Sequence, residues 1–257
     1  MNRLANKVAI VFGAGPNIGG TTAYFLAREG AKVVVSDISL SAAQETVDFI
    51  RAKGFEATAT QGNATVEEDV CKIVDFTVET YGRVDVAVNM AGRVHWSHLL
   101  DMDMDDWKDS LLSFPTAGLL TTKYVAKAMI AGGHGGSIIH LLSTAAHFGE
   151  ATGAAYTSSK AALLSFARSA ALDLAHYGIR VNTVTPCAME LLALCAFSWR
   201  GVPPLRLLQV SSPSEASVRS QRPRRSSRRP PAAASRPARS SPTWRSLPTA
   251  RGGCSDA

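Results

Sequence analysis

Apolar positions along the first 184 residues fall into two alternating rhythms. Short β-branched runs at 8–12, 32–36, 57–61, 84–89, 137–142 and 180–184 read as strands buried on both faces. Between them, segments 18–29, 41–53, 66–81, 105–131 and 154–177 repeat their apolar residues at helical spacing. Ser41 and Thr65 are the expected N-caps. Gly30, Gly54, Gly82 and Gly178 stand where a left-handed residue ends a helix. Six strands alternating with helices predict right-handed crossovers and an α/β fold, a doubly wound parallel sheet in a single domain. No internal repeat interrupts the alternation.

The pattern stops near residue 190. Residues 211–257 hold 12 Ser, 10 Arg and 7 Pro in 47 positions. Such a segment buries too little apolar surface to offset the entropy of ordering, so a disordered tail is expected. The break suggests residues 1–199 as the folded domain and 200–257 as a basic tail. It also splits the charge. Residues 1–199 carry 15 basic against 19 acidic side chains, a net of −4, whereas residues 200–257 carry a net of +10. The overall charge of +6 therefore says nothing about the folded part.

Two readings of the tail remain open. One is a reading-frame shift near 187–199. Lysine ends at Lys160, acidic residues nearly vanish, and Arg, Ser, Pro and Ala take over, as in a GC-rich gene read out of frame. The other is a genuine disordered arm, able to bind nucleic acid or another anionic surface.

The four cysteines, Cys71, Cys187, Cys195 and Cys254, form no Cys-x-x-Cys pair. That argues against a zinc site or a disulfide framework and fits a reducing, cytoplasmic setting. No apolar run reaches the eighteen or so residues of a membrane span. The first residues lead straight into a strand, so no signal peptide is expected. The histidines lack metal-ligand spacing. Asp101, Asp103, Asp105 and Asp106 lack the glycine and terminal glutamate of a calcium loop, so no metal is expected.

Chemistry concentrates at the strand ends. The first strand closes in Gly13-Ala14-Gly15-Pro16-Asn17-Ile18-Gly19 before a helix. Glycines there allow a tight turn whose backbone N–H groups face a pyrophosphate. Asp37 ends the next strand. A carboxylate there accepts hydrogen bonds from the adenosine ribose hydroxyls and repels a 2′-phosphate, which favours NAD over NADP and makes the fold Rossmann-type. The plain alternative is a tight turn with Asp37 capping the next helix. Tyr156 and Lys160, four apart, lie on one helix face, where a cation favours the phenolate that acid/base work requires. Ser143 follows the fifth strand, at the sheet edge where ligands bind.

Over residues 5 to about 190 the chain resembles the short-chain dehydrogenase/reductase family. The resemblance rests on the glycine turn, on Asn89-Met90-Ala91-Gly92 against the family's Asn-Asn-Ala-Gly, and on Ser143, Tyr156 and Lys160. It implies hydride transfer between NAD and a secondary alcohol or ketone, with Ser143, Tyr156 and Lys160 catalytic. It implies cofactor contacts at Gly13, Asn17, Ile18, Gly19, Asp37, Asn63, Ala64, Asn89, Ala91, Gly92, Tyr156 and Lys160. Lys160 would hold the nicotinamide ribose, and Asn63-Ala64 would lie against adenine. A homodimer or homotetramer paired through the two long helices is also implied, and residues such as His147, Phe148 or Glu150 would meet the substrate.

Four positions depart from the pattern. Asn17 replaces the middle glycine of the turn and is expected to tolerate a left-handed backbone. The position of the family's helical Asn, seven after Trp107, holds Phe114, which cannot hold a proton-relaying water. Pro115 follows and is expected to kink the helix. Beyond the sixth strand, Pro186-Cys187 replaces Pro-Gly and the expected Thr is Leu191. A substrate lid and a seventh strand are not recognisable. These departures keep open a catalytically impaired, nucleotide-binding or assembly protein as the alternative.

Overall fold

The computed structural model describes residues 2–187. The chain divides into two units, Met1–Val202 and Pro203–Ala257. The tail, Leu191 and the expected lid and seventh strand lie outside the described residues.

Among the described residues six strands and five α-helices alternate: β1 Val8–Phe12, α1 Ile18–Arg28, β2 Lys32–Asp37, α2 Leu40–Ala52, β3 Ala57–Gln61, α3 Glu67–Tyr81, β4 Val86–Asn89, α4 Met104–Ala131, β5 Gly136–Leu141, α5 Ala154–Leu174 and β6 Ile179–Val184. The described strands form one sheet, ordered β3-β2-β1-β4-β5-β6, with every pairing parallel. Strand order reverses between β1 and β4, and the crevice outside the strand ends at such a reversal is where open α/β sheets take ligands.

β1 shows why the continuous apolar runs were needed. All five of its residues are buried, and alternation sends Ala9 to Phe12 into two cores. Ala9 and Val11 join Ala23, Val33, Val47 and Ile50 on the α1/α2 side. Ile10 and Phe12 join Ile73, Val125, Met129 and Ile138 on the α3/α4/α5 side.

Helix ends differ from expectation in two places. Ser39, not Ser41, caps α2, its hydroxyl accepting from Ala42 N at 3.3 Å. Thr65 does not cap α3. Its amide and hydroxyl both donate to Asn63 Oδ1, at 3.0 and 2.8 Å, and α3 begins without a side-chain cap. Its first turn carries Glu67, Glu68 and Asp69 instead, which suits the positive end of the helix dipole. Gly30, Gly54, Gly82 and Gly178 all take positive φ, as expected of residues that end helices. Pro115 lies inside α4, which remains α-helical from Met104 to Ala131; the proline removes one donor without ending the helix.

Candidate active site

The turn after β1 closes on itself and on the turn after β4. Gly13 has φ +75°, and a Cβ there would stand 3.0 Å from Ala91 N. The α1 N-terminus can be accounted for donor by donor. Gly19 N donates to Asn17 Oδ1 at 2.8 Å, Gly20 N to Gly15 O at 3.0 Å, and Thr21 N to Asn17 O at 2.9 Å. Among the described residues the Ile18 N–H has no acceptor. That leaves one free amide at the positive end of a helix, as a pyrophosphate oxygen requires. Asn17 corrects the expectation: its φ is −144°, extended rather than left-handed, and it serves as the N-cap of α1.

Asp37, at the end of β2, is held by two amides. Gly15 N donates to Oδ2 at 2.9 Å and Ser39 N to Oδ1 at 3.0 Å. A carboxylate has about four lone-pair sites, so acceptor capacity remains for a diol. Past β3, Asn63 N donates to Asp69 Oδ2 at 2.9 Å, and Ala64 is buried. The free Ile18 amide, the pinned Asp37 and the close Gly13–Ala91 approach fit a dinucleotide laid across the strand ends.

Asn89, at the end of β4, is buried, and its orientation follows from its partners. Ala91 N donates to Asn89 Oδ1 at 3.1 Å, so Nδ2 is the atom facing His140 Nδ1 at 3.5 Å. His140 Nε2 lies 3.0 Å from Thr122 Oγ1. Burial, followed by the charge of Lys160, pushes the His140 imidazole down to about 4, so the ring is neutral at ordinary pH. Nδ1 then accepts from Asn89, and Nε2–H donates to Thr122. Three elements thus brace the turn that carries Ala91 and Gly92. Composition had shown His140 only as one of several histidines; its place on the buried face of β5 was the available signal.

Tyr156 and Lys160 share one face of α5, as their spacing requires. Lys160 is 3 % exposed, and its Nζ donates to Leu141 O at 2.8 Å. The ammonium sits 5.7 Å from the Tyr156 ring centroid and 3.9 Å from that of Phe114. Burial pushes the amine down to about 7. Tyr156 lies between two aromatics, with Trp96 at 5.4 Å and Phe114 at 5.7 Å between ring centroids. Ser143 follows β5, caps a single 3-10 turn, and accepts from Ala145 N at 3.2 Å. His147, Phe148 and Glu150 are exposed in the segment between that turn and α5. Trp96, which sequence reasoning passed over, is a residue on that side that touches Tyr156. Its ring backs onto Gly153, where a Cβ would meet Trp96 Cζ3 at 2.8 Å. Ser97 N also donates to Thr152 O at 2.9 Å, tying the two loops together.

Comparison with known proteins decides the family. The model of the short chain dehydrogenase family matches residues 7–193. The chain belongs to the short-chain dehydrogenase family. It is 37 % identical over 186 residues to cyclohexanol dehydrogenase of an Acinetobacter species, covering 72 % of this chain and 74 % of that one. Against sorbitol dehydrogenase of Cereibacter sphaeroides the identity is 35 %, covering 73 % and 72 %. The crystal structure of an NAD+-bound xylitol dehydrogenase superposes with a TM-score of 0.69 at 35 % identity, covering 72 % of this chain and 71 % of that one. The family is one of oxidoreductases, and these relatives are named for alcohols. No described helix is long and apolar enough to cross a membrane. Among the described residues no cluster of three or more His, Cys, Asp or Glu could hold a metal.

Proposed function

We propose that this chain interconverts a secondary alcohol and a ketone with NAD as hydride partner. The observation that carries the reading is the buried Lys160 ammonium, fixed by Leu141 O, beside Tyr156 on one helix face at the strand ends. The bound dinucleotide would supply the hydride acceptor or donor. Asp37 would take its adenosine ribose, Ile18 N its phosphate, and Lys160 its second ribose. Gly13, Asn17, Gly19, Asn63, Ala64, Asn89, Ala91 and Gly92 would complete its walls.

Tyr156 would take the hydroxyl proton as the carbon gives up hydride, and return it in the reverse direction. The positive charge of Lys160 favours the phenolate. Ser143 would donate a hydrogen bond to the substrate oxygen. Cytoplasmic placement and pairing through α4 and α5 belong to the same proposal, supported by family resemblance.

Steady-state turnover with NAD and a panel of secondary alcohols tests it. Tyr156→Phe should remove turnover and leave NADH binding nearly intact, whereas Lys160→Ala should weaken both. Activity above a few per cent in Tyr156→Phe refutes the mechanism. The Phe114 ring over Lys160 favours a second reading, a nucleotide-binding protein without turnover. Tight NADH binding with no product from any alcohol would select that reading.

A further inference from the structure

Lys160 is the one buried lysine or arginine among the described residues, and its surroundings are unusual for a cation. Of its three N–H groups, one has an acceptor among the described residues, Leu141 O. No carboxylate there lies within ion-pair distance. The groups facing it are His140 and Leu141 O from β5, Tyr156 from its own helix and Phe114 from α4. His140 is neutral, so it adds no second positive charge beside the amine.

Phe114 is itself immobilised. It is 5 % exposed, packs with Leu142 and Leu163, meets Tyr156 edge-on, and fills the space above Gly92, where any Cβ would run into its ring. The ring face therefore presents a fixed quadrupole to Nζ at 3.9 Å, well within cation–π range.

We propose that Phe114 is a positioning residue for Lys160: its ring face holds the amine against Leu141 O and helps keep it an ammonium in a buried pocket where no described carboxylate pairs with it. Where the family pattern puts a hydrogen-bonding amide, this chain supports the cation with a π face. Burial and ring act in opposite directions on the amine. Without the ring, Lys160 loses its charge at a lower pH, and Tyr156 loses the adjacent cation.

This inference rests on the proposed Tyr156–Lys160 pairing, but its test reads the full chain without substrate. The experiment is urea unfolding of the whole protein from pH 5 to 10. Below the folded-state pKa, Lys160 is protonated folded and unfolded, so it adds no pH dependence. Between about 7 and the unfolded value near 10.5, only the unfolded state binds that proton, so stability climbs with pH. The onset of the climb reports Lys160, and subtracting the Lys160→Met chain isolates it. Phe114→Leu and Phe114→Met keep the pocket apolar but remove the ring. Each should lower the onset by roughly half to one and a half pH units, the size of a desolvated cation–π contact. Phe114→Asn, which brings polarity, should raise it.

An onset unchanged in both the Leu and Met chains overturns the proposal, as does a wild-type climb that survives Lys160→Met. A wild-type NMR measurement stands independently of whether any variant folds. The Lys160 Cε protons should show an upfield ring-current shift, and its absence would also overturn the proposal. A chain that turns over no alcohol yet shows the onset shift retains this inference and loses only the proposed reaction.

Discussion

Replacing Asp37 by Asn removes a charge at nearly constant volume, and the structure gives the expected size of the effect. Two amides pin the carboxylate at the end of β2, so it cannot swing away from an incoming 2′-phosphate. That phosphate carries about 1.5 to 2 negative charges at neutral pH. At roughly 5 Å, with an effective dielectric between about 40 and 80 for a half-exposed site, the repulsion is about 1–3 kcal/mol. The ribose hydroxyls of NAD would instead find open acceptor sites on the carboxylate. The wild-type chain should therefore bind NADH at least about tenfold more tightly than NADPH, a difference of about 1.4 kcal/mol. In Asp37→Asn the ratio should fall to within about threefold. Exchanging one Gly15 or Ser39 hydrogen bond for a facing NH₂ should cost about 1 kcal/mol of stability. Calorimetric titration of both chains with both cofactors measures the ratio, and repeating it at high salt should narrow the wild-type preference by screening. Equal wild-type affinities, or a preference untouched by Asp37→Asn, would refute the assignment of Asp37.

Two further outcomes follow from the glycine turn and from the tail. Gly19→Ala places a Cβ against Gly13 O and 2.8 Å from Ala14 Cα, both backbone atoms, so the turn must open. A loss of about 1–3 kcal/mol in urea unfolding, together with loss of NADH binding, is expected, whereas Gly149→Ala, in open space, should change neither. For the tail we propose the frame shift: resequencing should reveal an insertion or deletion near codons 187–199, and the chain with the present tail should be poorly soluble and show little turnover beside its frame-restored form. An intact frame with a soluble, active product defeats that proposal.

The sheet was legible because a strand buried on both faces is apolar along its buried stretch, as Val8–Phe12 is throughout and β2 is from Val33 to Val35. The glycine turn, Asp37 and the Tyr156–Lys160 spacing were legible because each encodes local geometry. What escaped was non-local. Asn17 was expected to matter through its backbone, yet it acts through its side chain as a cap, a choice made by the chain direction entering α1. Ser39 displaced Ser41 as a cap because α2 starts at Leu40. Phe114 was visible as an odd residue, but its seat over Lys160 depends on how α4 packs on α5. The His140–Asn89 contact joins residues 51 positions apart, and Trp96 reaches Tyr156 across two loops. No spacing rule encodes such meetings.

The place of β1 in the sheet has a consequence for biosynthesis. Among the described strands it leaves the ribosome before the others, and it finds β2 early, with Ala9 opposite Val33. Its other neighbour is β4, where Ala9 pairs with Val86, so that side waits until two further helices and a strand have been made. β4 then waits for β5, with Val86 opposite Ser137. Parallel pairing across such separations requires loop-closure entropy to be overcome before any contact offsets it, which makes folding slow. For that interval the most apolar of the described strands presents unpaired N–H and C=O groups to its surroundings, an invitation to intermolecular strand addition. The feature that builds the crevice therefore also makes the nascent chain a natural client for chaperones.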